Sequence, residues 1–298
     1  MGGLKWTRKA TRKIARELRS LGIQVSANTV GRLLKEMDYS LRVNRKEIAS
    51  ANSTERNEQF LYMNGLRERF AQEGKPEISV DAKKKELVGN FKNGGALWSR
   101  SSIRVNDHDF RSMADGIAVP YGIYDRRANR AMVLVGTSHD TPAFAVESIG
   151  QWWALEGMQR YPKADHLLIL ADGGGSNGVN RRAWKDKIQS ELCDRHGISV
   201  TVCHYPTGAS KWNPVEHRLF SEISKNWAGR PLDSYETILN YIRTTRTENG
   251  LEVQAYLVAK EYPTGEKVSD ERMAQLNILR HETLPKRNYT LAPTQNVK

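Results

Sequence analysis

The stretch HLLILADGGGSNG, from His166 to Gly178, decides the fold of this chain. Its apolar run from Leu167 to Ala171 ends at Asp172, and three glycines follow. A short apolar run bounded by turn residues predicts a buried strand of a parallel sheet, with Asp172 at the carboxyl end, where open α/β sheets collect ligands. The glycines would let the backbone pass this site without Cβ crowding. The alternative is a glycine-rich strand-to-helix turn in which Asp172 serves only as a cap.

Two further acids, Asp81 and Glu216, lie in or at the start of predicted secondary-structure elements. Asp81 lies in a strand predicted over 77–88, where apolar and polar residues alternate before a lysine run. Glu216 follows Asn213-Pro214, and proline at the first helical position is pre-organised for a helix start. A carboxylate inside a strand, one at a strand end and one at a helix start are therefore candidates for a single cleft.

Three carboxylates that converge in a cleft repel one another unless a cation neutralises them. Carboxylate oxygens suit Mg²⁺ or Mn²⁺, and two such ions held about 4 Å apart promote in-line phosphoryl transfer. Each acid also has a structural explanation, because Asp81 could pair with Lys83 or Lys85 and Glu216 could close a capping box. Glu222, two turns further along the same predicted helix and on another face, ranks below Glu216.

The order of the predicted elements is a strand, a strand pair, a helix, a strand, a helix, a strand and a helix. Three antiparallel strands followed by βα units predict an α/β fold with a ribonuclease-H-like mixed sheet flanked by helices. In that arrangement the strands of Asp81 and Asp172 are parallel neighbours, so the two carboxylates would lie about 5 Å apart. The predicted strands are 77–88, 118–124, 131–138, 167–171 and 198–203, with 91–98 as a continuation or return strand.

The N-terminal region is basic and helical. The first 50 residues hold twelve Lys and Arg against four Asp and Glu, which is most of the formal net charge of +12. A helix from Trp6 to Gly22 and a second one behind Ser26 predict a helix-turn-helix-like segment. A solvated basic face is the plain alternative, but this concentration of charge favours nucleic acid as the partner. The candidate DNA-binding residues are Arg12, Lys13, Arg16, Asn28, Arg32 and Lys35, together with Lys83 and Lys211 near the predicted cleft.

Composition and element order divide the chain into four parts. Residues 1–53 form a basic helical DNA-binding segment and its linker, which starts at Ser40. Residues 54–75 form a connecting helix, and 76–245 form the ribonuclease-H-like catalytic domain. Residues 246–298 are a C-terminal extension with weak strand and helix signals, which we expect to cover an edge of the sheet.

Cysteine usage and hydropathy indicate a cytoplasmic protein. No apolar stretch approaches the roughly 20 residues of a membrane span, and the N-terminus lacks a signal-peptide core. Two cysteines make no disulfide framework, which favours a reducing cytosol. The spacing of Cys193 and His196 resembles that of zinc ligands. However, Cys203 and His204 would point to opposite faces of a strand, so at most one of them could join Cys193 and His196. A metal-free set of these four residues is therefore the favoured interpretation.

Several long motifs carry a family resemblance: ISVDAKKKELVGNFKNGG, HDF, PYGIYD, LLILADGGGSNG, SKWNPVEHRLFSEI and NWAGRPL. They resemble the Rhodopirellula-type DDE transposases, insertion-sequence enzymes allied to the mariner-like superfamily, from about Trp6 to the C-terminus. The resemblance implies a DDE triad of Asp81, Asp172 and Glu216. It also implies metal-dependent cleavage at terminal inverted repeats and joining of the 3′-end to target DNA. Family members carry more sequence before WTRKATRKIARELRSLG, so one interpretation is an N-terminally shortened chain.

The remaining candidates are polar residues near the third acid. His204, Asn213 and His217 would support the cleft by orienting a water or the scissile phosphate, while Lys83 and Lys211 would contact phosphates. Pairing of two transposon ends needs at least two protomers, so we expect a homodimer or larger complex on DNA in the nucleoid. Two other functions stay open: a shortened, non-catalytic DNA-binding derivative, and a ribonuclease-H-like nuclease.

Overall fold

The computed structural model describes residues 7–42 and 53–294. The chain divides into two compact units, Met1–Ala49 and Ser50–Lys298. Most of the predicted linker falls in 43–52, outside the described residues. Within the described residues, no helix combines the length and the apolar character needed to cross a membrane.

In the described part of the N-terminal unit, residues 7–42, the helices are α1 (Thr11–Ser20) and α2 (Ala27–Glu36). The predicted cap at Ser26 is confirmed, because its hydroxyl accepts a hydrogen bond from the backbone N–H of Thr29 at 3.0 Å. Helix α1 starts at Thr11, and the predicted start at Trp6 falls outside the described residues. The predicted DNA-binding side chains of this unit are all exposed, namely Arg12, Lys13, Arg16, Asn28, Arg32 and Lys35.

The second unit is built on one nine-stranded sheet. Its strands are β1 (Glu77–Ala82), β2 (Glu86–Val88), β3 (Gly116–Asp125), β4 (Arg130–Gly136), β5 (His166–Ala171), β6 (Ser199–His204), β7 (Glu252–Val258), β8 (Ile278–Arg280) and β9 (Asn288–Leu291). They follow the order β7-β4-β3-β1-β5-β6-β9-β8, and β2 pairs with β3. Strand β1 is antiparallel to β3 and parallel to β5, and β5 is parallel to β6. This central pattern is the predicted ribonuclease-H-like mixed sheet, which is therefore confirmed.

Helices cover both faces of the sheet. They are α3 (Ser53–Gln72), α4 (Pro142–Trp152), α5 (Met158–Arg160), α6 (Arg182–Lys187), α7 (Ser221–Asn226), α8 (Tyr235–Arg243) and α9 (Asp270–Ala274). Helices α4 and α6 pack on one face, where Trp152 and Trp184 are fully buried. Helices α7 and α8 pack on the other face over β3, β4 and β7, and α3 packs there over β5 and β6. The active-site candidates lie where these two groups on the second face adjoin the end of β1.

Two parts of the sheet differ from the sequence prediction. The predicted strand over 77–88 is broken at the lysine run into β1 and β2, and 91–98 forms no strand. The C-terminal extension does more than cover one edge, because β7 pairs with β4 while the β8–β9 hairpin extends the other edge through β6. Alternation in β7 is weak, with Tyr256 and Leu257 partly exposed, which explains the poor strand signal.

Candidate active site

Asp81 and Asp172 lie side by side at the carboxyl ends of two neighbouring central strands, β1 and β5. The parallel register of β1 and β5 pairs Val80 with Ala171, and the next residue on each strand is one of the two acids. Val80 and Ala171 point into the layer beneath α4, so side-chain alternation turns both acids to the opposite face. The prediction that these two strands are parallel neighbours is confirmed.

Glu216 reaches the same place from a π-helical turn, Val215–Phe220. Its carboxyl group comes close enough to that of Asp81 to raise the pKa of Asp81. Burial, the charge of Glu216 and then the charge of Asp172 raise the pKa of Asp81 to about 8, against a hydrogen bond from the N–H of Ala82 at 2.8 Å. Glu216 and Asp172, both far from Asp81 in sequence, therefore act on its carboxyl group.

Two buried polar side chains attach the Glu216 turn to β1. The hydroxyl of Ser79 donates to Oδ1 of Asn213 and accepts from the backbone N–H of Val215 at 3.1 Å. Nδ2 of Asn213 donates to the carbonyl oxygen of Val80 at 3.4 Å, and the Asn213 carbonyl accepts from the N–H of Glu216 at 3.1 Å. Asn213, predicted as cleft support, is fully buried, so it positions the turn rather than a substrate.

The turn can approach the sheet because residue 122 is glycine. Gly122 lies opposite Asp81 in the register of β1 and β3. A Cβ at this position would lie 2.6 Å from the ring of Phe220 and 3.0 Å from the side chain of Leu219. Glycine inside an apolar strand is the sequence signal for such a close approach, and the motif PYGIYD carries it.

Ser79→Ala is expected to slow DNA cleavage about 10- to 100-fold, because the Glu216 turn would lose its attachment to β1. The loss of the two hydrogen bonds should also lower the free energy of unfolding by about 1–3 kcal/mol. Ser148→Ala is the matched control, since Ser148 is equally buried in α4 and donates only to the carbonyl of Phe144 at 2.7 Å. A cleavage assay, chemical denaturation and carboxyl NMR titration of both variants test this. Only Ser79→Ala should lower the pKa of Asp81. If both variants changed cleavage and this pKa equally, Ser79 would only stabilise the fold and would not position Glu216.

The glycine-rich loop after Asp172 is held by contacts on its far side. Oδ1 of Asp172 accepts a hydrogen bond from the N–H of Gly173 at 2.7 Å. Lys185 donates to the carbonyl of Val179 at 2.6 Å. Close approach explains only part of the three-glycine run, because a Cβ at Gly174 would meet no atom within 4 Å, whereas Gly175 adopts a φ of +62°.

His204 lies behind Asp172 and is fully buried. Burial lowers the pKa of this imidazole to about 4, so the ring is neutral at physiological pH. Because a carbonyl only accepts, Nδ1–H donates to the backbone oxygen of Asp172 at 3.2 Å, and Nε2 then accepts from the hydroxyl of Tyr289 at 3.3 Å. The indole of Trp184 donates to the same hydroxyl at 3.0 Å. His204 therefore holds the backbone of Asp172 and has no access to a water or phosphate in the cleft.

His204 should make the protein sensitive to acid. Its pKa is about 4 when folded, against an ordinary pKa of 6.5 for histidine, so the unfolded chain binds the extra proton between these two pH values. The free energy of unfolding should then fall by about 3 kcal/mol as the pH drops from 6.5 to 4. His204→Asn keeps a hydrogen-bond donor but removes the titration. Denaturation curves across this pH range should show a smaller acid loss in the variant, and an identical loss would assign the effect to other groups.

The other predicted cleft residues line a recess of about 500 Å³ beside Glu216. Lys83, Lys211 and His217 all contribute to it, with Lys84. The side chain of Lys83 is only 10% exposed and pairs with Glu86 at 2.8 Å, so its charge is largely satisfied within the protein. Lys211 is exposed, and its backbone carbonyl is hydrogen-bonded to Nε2 of His217. Lys84 and Lys211 are thus the more available cations of this recess.

The sulfur and histidine residues form no zinc site within the described residues. No three His, Cys, Asp or Glu side chains are placed there to hold one ion together. Cys193 and Cys203 are both fully buried, and burial raises the pKa of the Cys193 thiol to about 12. Neither thiol is therefore poised to become a metal-binding thiolate.

The acidic edge nevertheless has the chemistry of a divalent-cation site. Its donors are hard carboxylate oxygens, the ligands that suit Mg²⁺ and Mn²⁺. The raised pKa of Asp81 means that its carboxyl group favours a proton when no cation is close to it. Because a cation must displace that proton to bind, the residues present fit a metal whose affinity rises with pH.

Strand order and acidic edge together define a ribonuclease-H-like protein with a carboxylate site at the end of its central strands. The sequence profile of the family described as Rhodopirellula transposase DDE domain matches residues 1–293. The chain belongs to this family of DDE-type transposases. No curated protein matches it.

Solved structures of the Mos1 transposase are distantly similar. For the Mos1 transposase paired-end complex with left transposon end, identity is 15% and the TM-score is 0.46, over 78% of this chain and 65% of that one. For the mariner Mos1 paired end complex with Mg, identity is 16% and the TM-score is 0.44. The chain thus spans less than two thirds of the length of these proteins.

Proposed function

We propose that this chain is a DNA transposase that cleaves DNA at the ends of its element and joins the 3′-ends to target DNA. Asp81, Asp172 and Glu216 would form its DDE triad. The observation that carries the proposal is the convergence of the three acids: the register of β1 and β5 makes Asp81 and Asp172 neighbours, and the charges of Glu216 and Asp172 raise the pKa of Asp81. Family membership supports the same conclusion, because the acids fall in the matched motifs.

The triad would hold two Mg²⁺ or Mn²⁺ ions, with Asp81 and Asp172 sharing or flanking them and Glu216 holding the second. Such ions supply Lewis-acid activation of a water or 3′-hydroxyl and stabilise the leaving oxygen. The protein itself contributes rigidity: Ser79 and Asn213 attach the Glu216 turn to β1, and His204 fixes the backbone of Asp172. The raised pKa of Asp81 means that this carboxyl group favours a proton or a cation over the free charged form.

DNA would contact both units. In the N-terminal unit, the exposed cations of α1 and α2 would meet the phosphates of the terminal inverted repeats, and Asn28 would face a groove. In the catalytic unit, Lys84 and Lys211 would guide the backbone past Glu216. Since two ends must be processed together, the working complex would contain at least two protomers on DNA in the nucleoid.

A labelled duplex that carries the terminal inverted repeat flanking the gene tests the proposal. The full chain is incubated with it and a target plasmid, with and without Mg²⁺. Nicking at the repeat and joined products that depend on Mg²⁺ would support the transposase. A gel shift without nicking would instead indicate a non-catalytic DNA-binding derivative, and cleavage of an RNA–DNA hybrid without joining would indicate a ribonuclease-H-like nuclease.

A further inference from the structure

A second and larger recess opens next to Asp172, which lines it. It has a volume of about 770 Å³. The glycine loop forms one wall, with Gly173 and Asn180, and the loop before β9 forms another, with Lys286 and Arg287. The C-terminal extension therefore contributes two cations to the surroundings of Asp172.

Arg287 is held in place without losing its charge. Its guanidinium donates to the carbonyl of Tyr205 at 3.0 Å and to the hydroxyl of Thr207 at 3.3 Å, and both acceptors are neutral. In the part of the chain that the structure describes, no carboxylate pairs with Arg287 or Lys286. A Cβ built on Gly173 would lie 3.7 Å from Nη1 of Arg287, so the guanidinium adjoins the residue that follows Asp172.

The loop that carries these cations is fixed to the sheet and to α3. Asn288 is fully buried and exchanges two hydrogen bonds of 2.7 Å with the side chain of Gln59. It also donates to the carbonyl of Thr283 at 2.8 Å, which closes the loop. Arg287 is thus pre-organised, and a pre-organised guanidinium loses little conformational entropy when it binds a planar or tetrahedral oxyanion.

We propose that this recess is a DNA-backbone subsite in which Arg287 and Lys286 bind phosphates next to the scissile one. The proposal rests on the proposed transposase function. Arginine binds phosphate through paired N–H groups, and an unpaired cation beside an acidic site is suited to a substrate that is itself anionic. Asp172 lines this recess and Glu216 lines the recess of Lys84 and Lys211, so a strand that crosses the acids would meet cations in both.

Binding is measured by fluorescence anisotropy of a short labelled duplex against the full chain at several salt concentrations. Lys286→Ala/Arg287→Ala should weaken binding about ten-fold or more, and should reduce the slope of log affinity against log salt by about one per lost contact. The control is Arg127→Ala/Lys163→Ala, which removes the same charge from exposed positions. Arg127 lies in the turn between β3 and β4 and Lys163 lies before β5, at the opposite end of the central strands from the acids. Equal slopes for the double variant and the control would overturn the subsite.

Cross-linking keeps the test independent of folding defects at Arg287. The two native cysteines are fully buried, whereas position 286 is exposed. A photoreactive label would therefore attach to the new cysteine of Lys286→Cys. It should cross-link to the duplex, whereas Lys163→Cys should not. Equal cross-linking of the two variants would contradict the proposal.

Two reactions identify which DNA occupies the subsite: cleavage of an uncut transposon end, and joining of a pre-cleaved end to a plasmid. If the double variant loses joining alone, the occupant is target DNA, and if it loses both, the occupant is the end itself. A wild-type chain that neither cuts nor joins would refute the transposase function, while a reduced salt slope would still support the subsite. Active wild-type protein with an equally active double variant would refute the subsite alone.

Discussion

Asp81→Asn, Asp172→Asn and Glu216→Gln are each expected to abolish strand cleavage while DNA binding is largely retained. Each substitution replaces a carboxyl group that could bind a metal with an amide of nearly the same volume. The rate should fall roughly 1,000-fold or more, because such residues act as a unit and each is needed for the reaction. Binding should persist because the proposed DNA contacts are made by the cations of α1, α2 and the two recesses, which these substitutions leave in place.

Cleavage of a labelled transposon end in Mg²⁺, with a gel shift on the same duplex, measures both properties. Glu222→Gln is the control on the same helical segment, because Glu222 pairs with Lys225 at 2.7 Å and does not act on Asp81. It should cleave like the wild type. Cleavage retained by any of the three variants would remove that residue from the site, and loss in Glu222→Gln would show that the assay reports folding.

The positions of two of the acids were predictable because they depend on local pattern. Alternation in β1 and the apolar run of β5 place Asp81 and Asp172 at strand ends, and pairing of the strands then makes them neighbours. Glu216 was harder to place, since its approach to Asp81 depends on how a helical turn packs on the sheet. That packing is set by Ser79 and Gly122, two small residues whose importance appears only in three dimensions.

His204 shows where sequence reasoning about a site fails. A histidine at the end of a parallel strand is placed where cleft residues occur, so a role with water or phosphate was expected. The structure turns the ring inward to Asp172 and Tyr289, because the strand end is covered by the loop before β9. The same loop brings Arg287 to the site from a region whose strand signals are weak, so neither feature was predictable from local periodicity.

Asp81→Asn should stabilise the metal-free protein at neutral and alkaline pH. The pKa of Asp81 is about 8 in the folded chain, against an ordinary pKa of 3.8 for aspartate, so the folded state binds the extra proton between these values. The free energy of unfolding must then fall as the pH rises from 4 to 8. At pH 7 this penalty is roughly 3–5 kcal/mol, and asparagine does not incur it.

Urea denaturation in chelator from pH 4 to pH 9 measures the difference between the two proteins. The difference should be near zero at pH 4, grow through pH 6 and 7, and level off above pH 8. Glu222→Gln again serves as the control and should follow the wild type throughout. A constant difference over the whole range would show that the substitution changes packing and not a titration.

Mg²⁺ should reverse this order, because the cation replaces the proton that Asp81 carries. A ligand that binds only the folded state raises the free energy of unfolding, and its affinity increases as the carboxyls lose their proton. Wild-type stability in Mg²⁺ should therefore gain most above pH 7, while Asp81→Asn gains little. If Mg²⁺ stabilised both proteins equally at every pH, its site would lie away from Asp81. The raised pKa would then reflect burial among neighbouring carboxylates with no metal to relieve it.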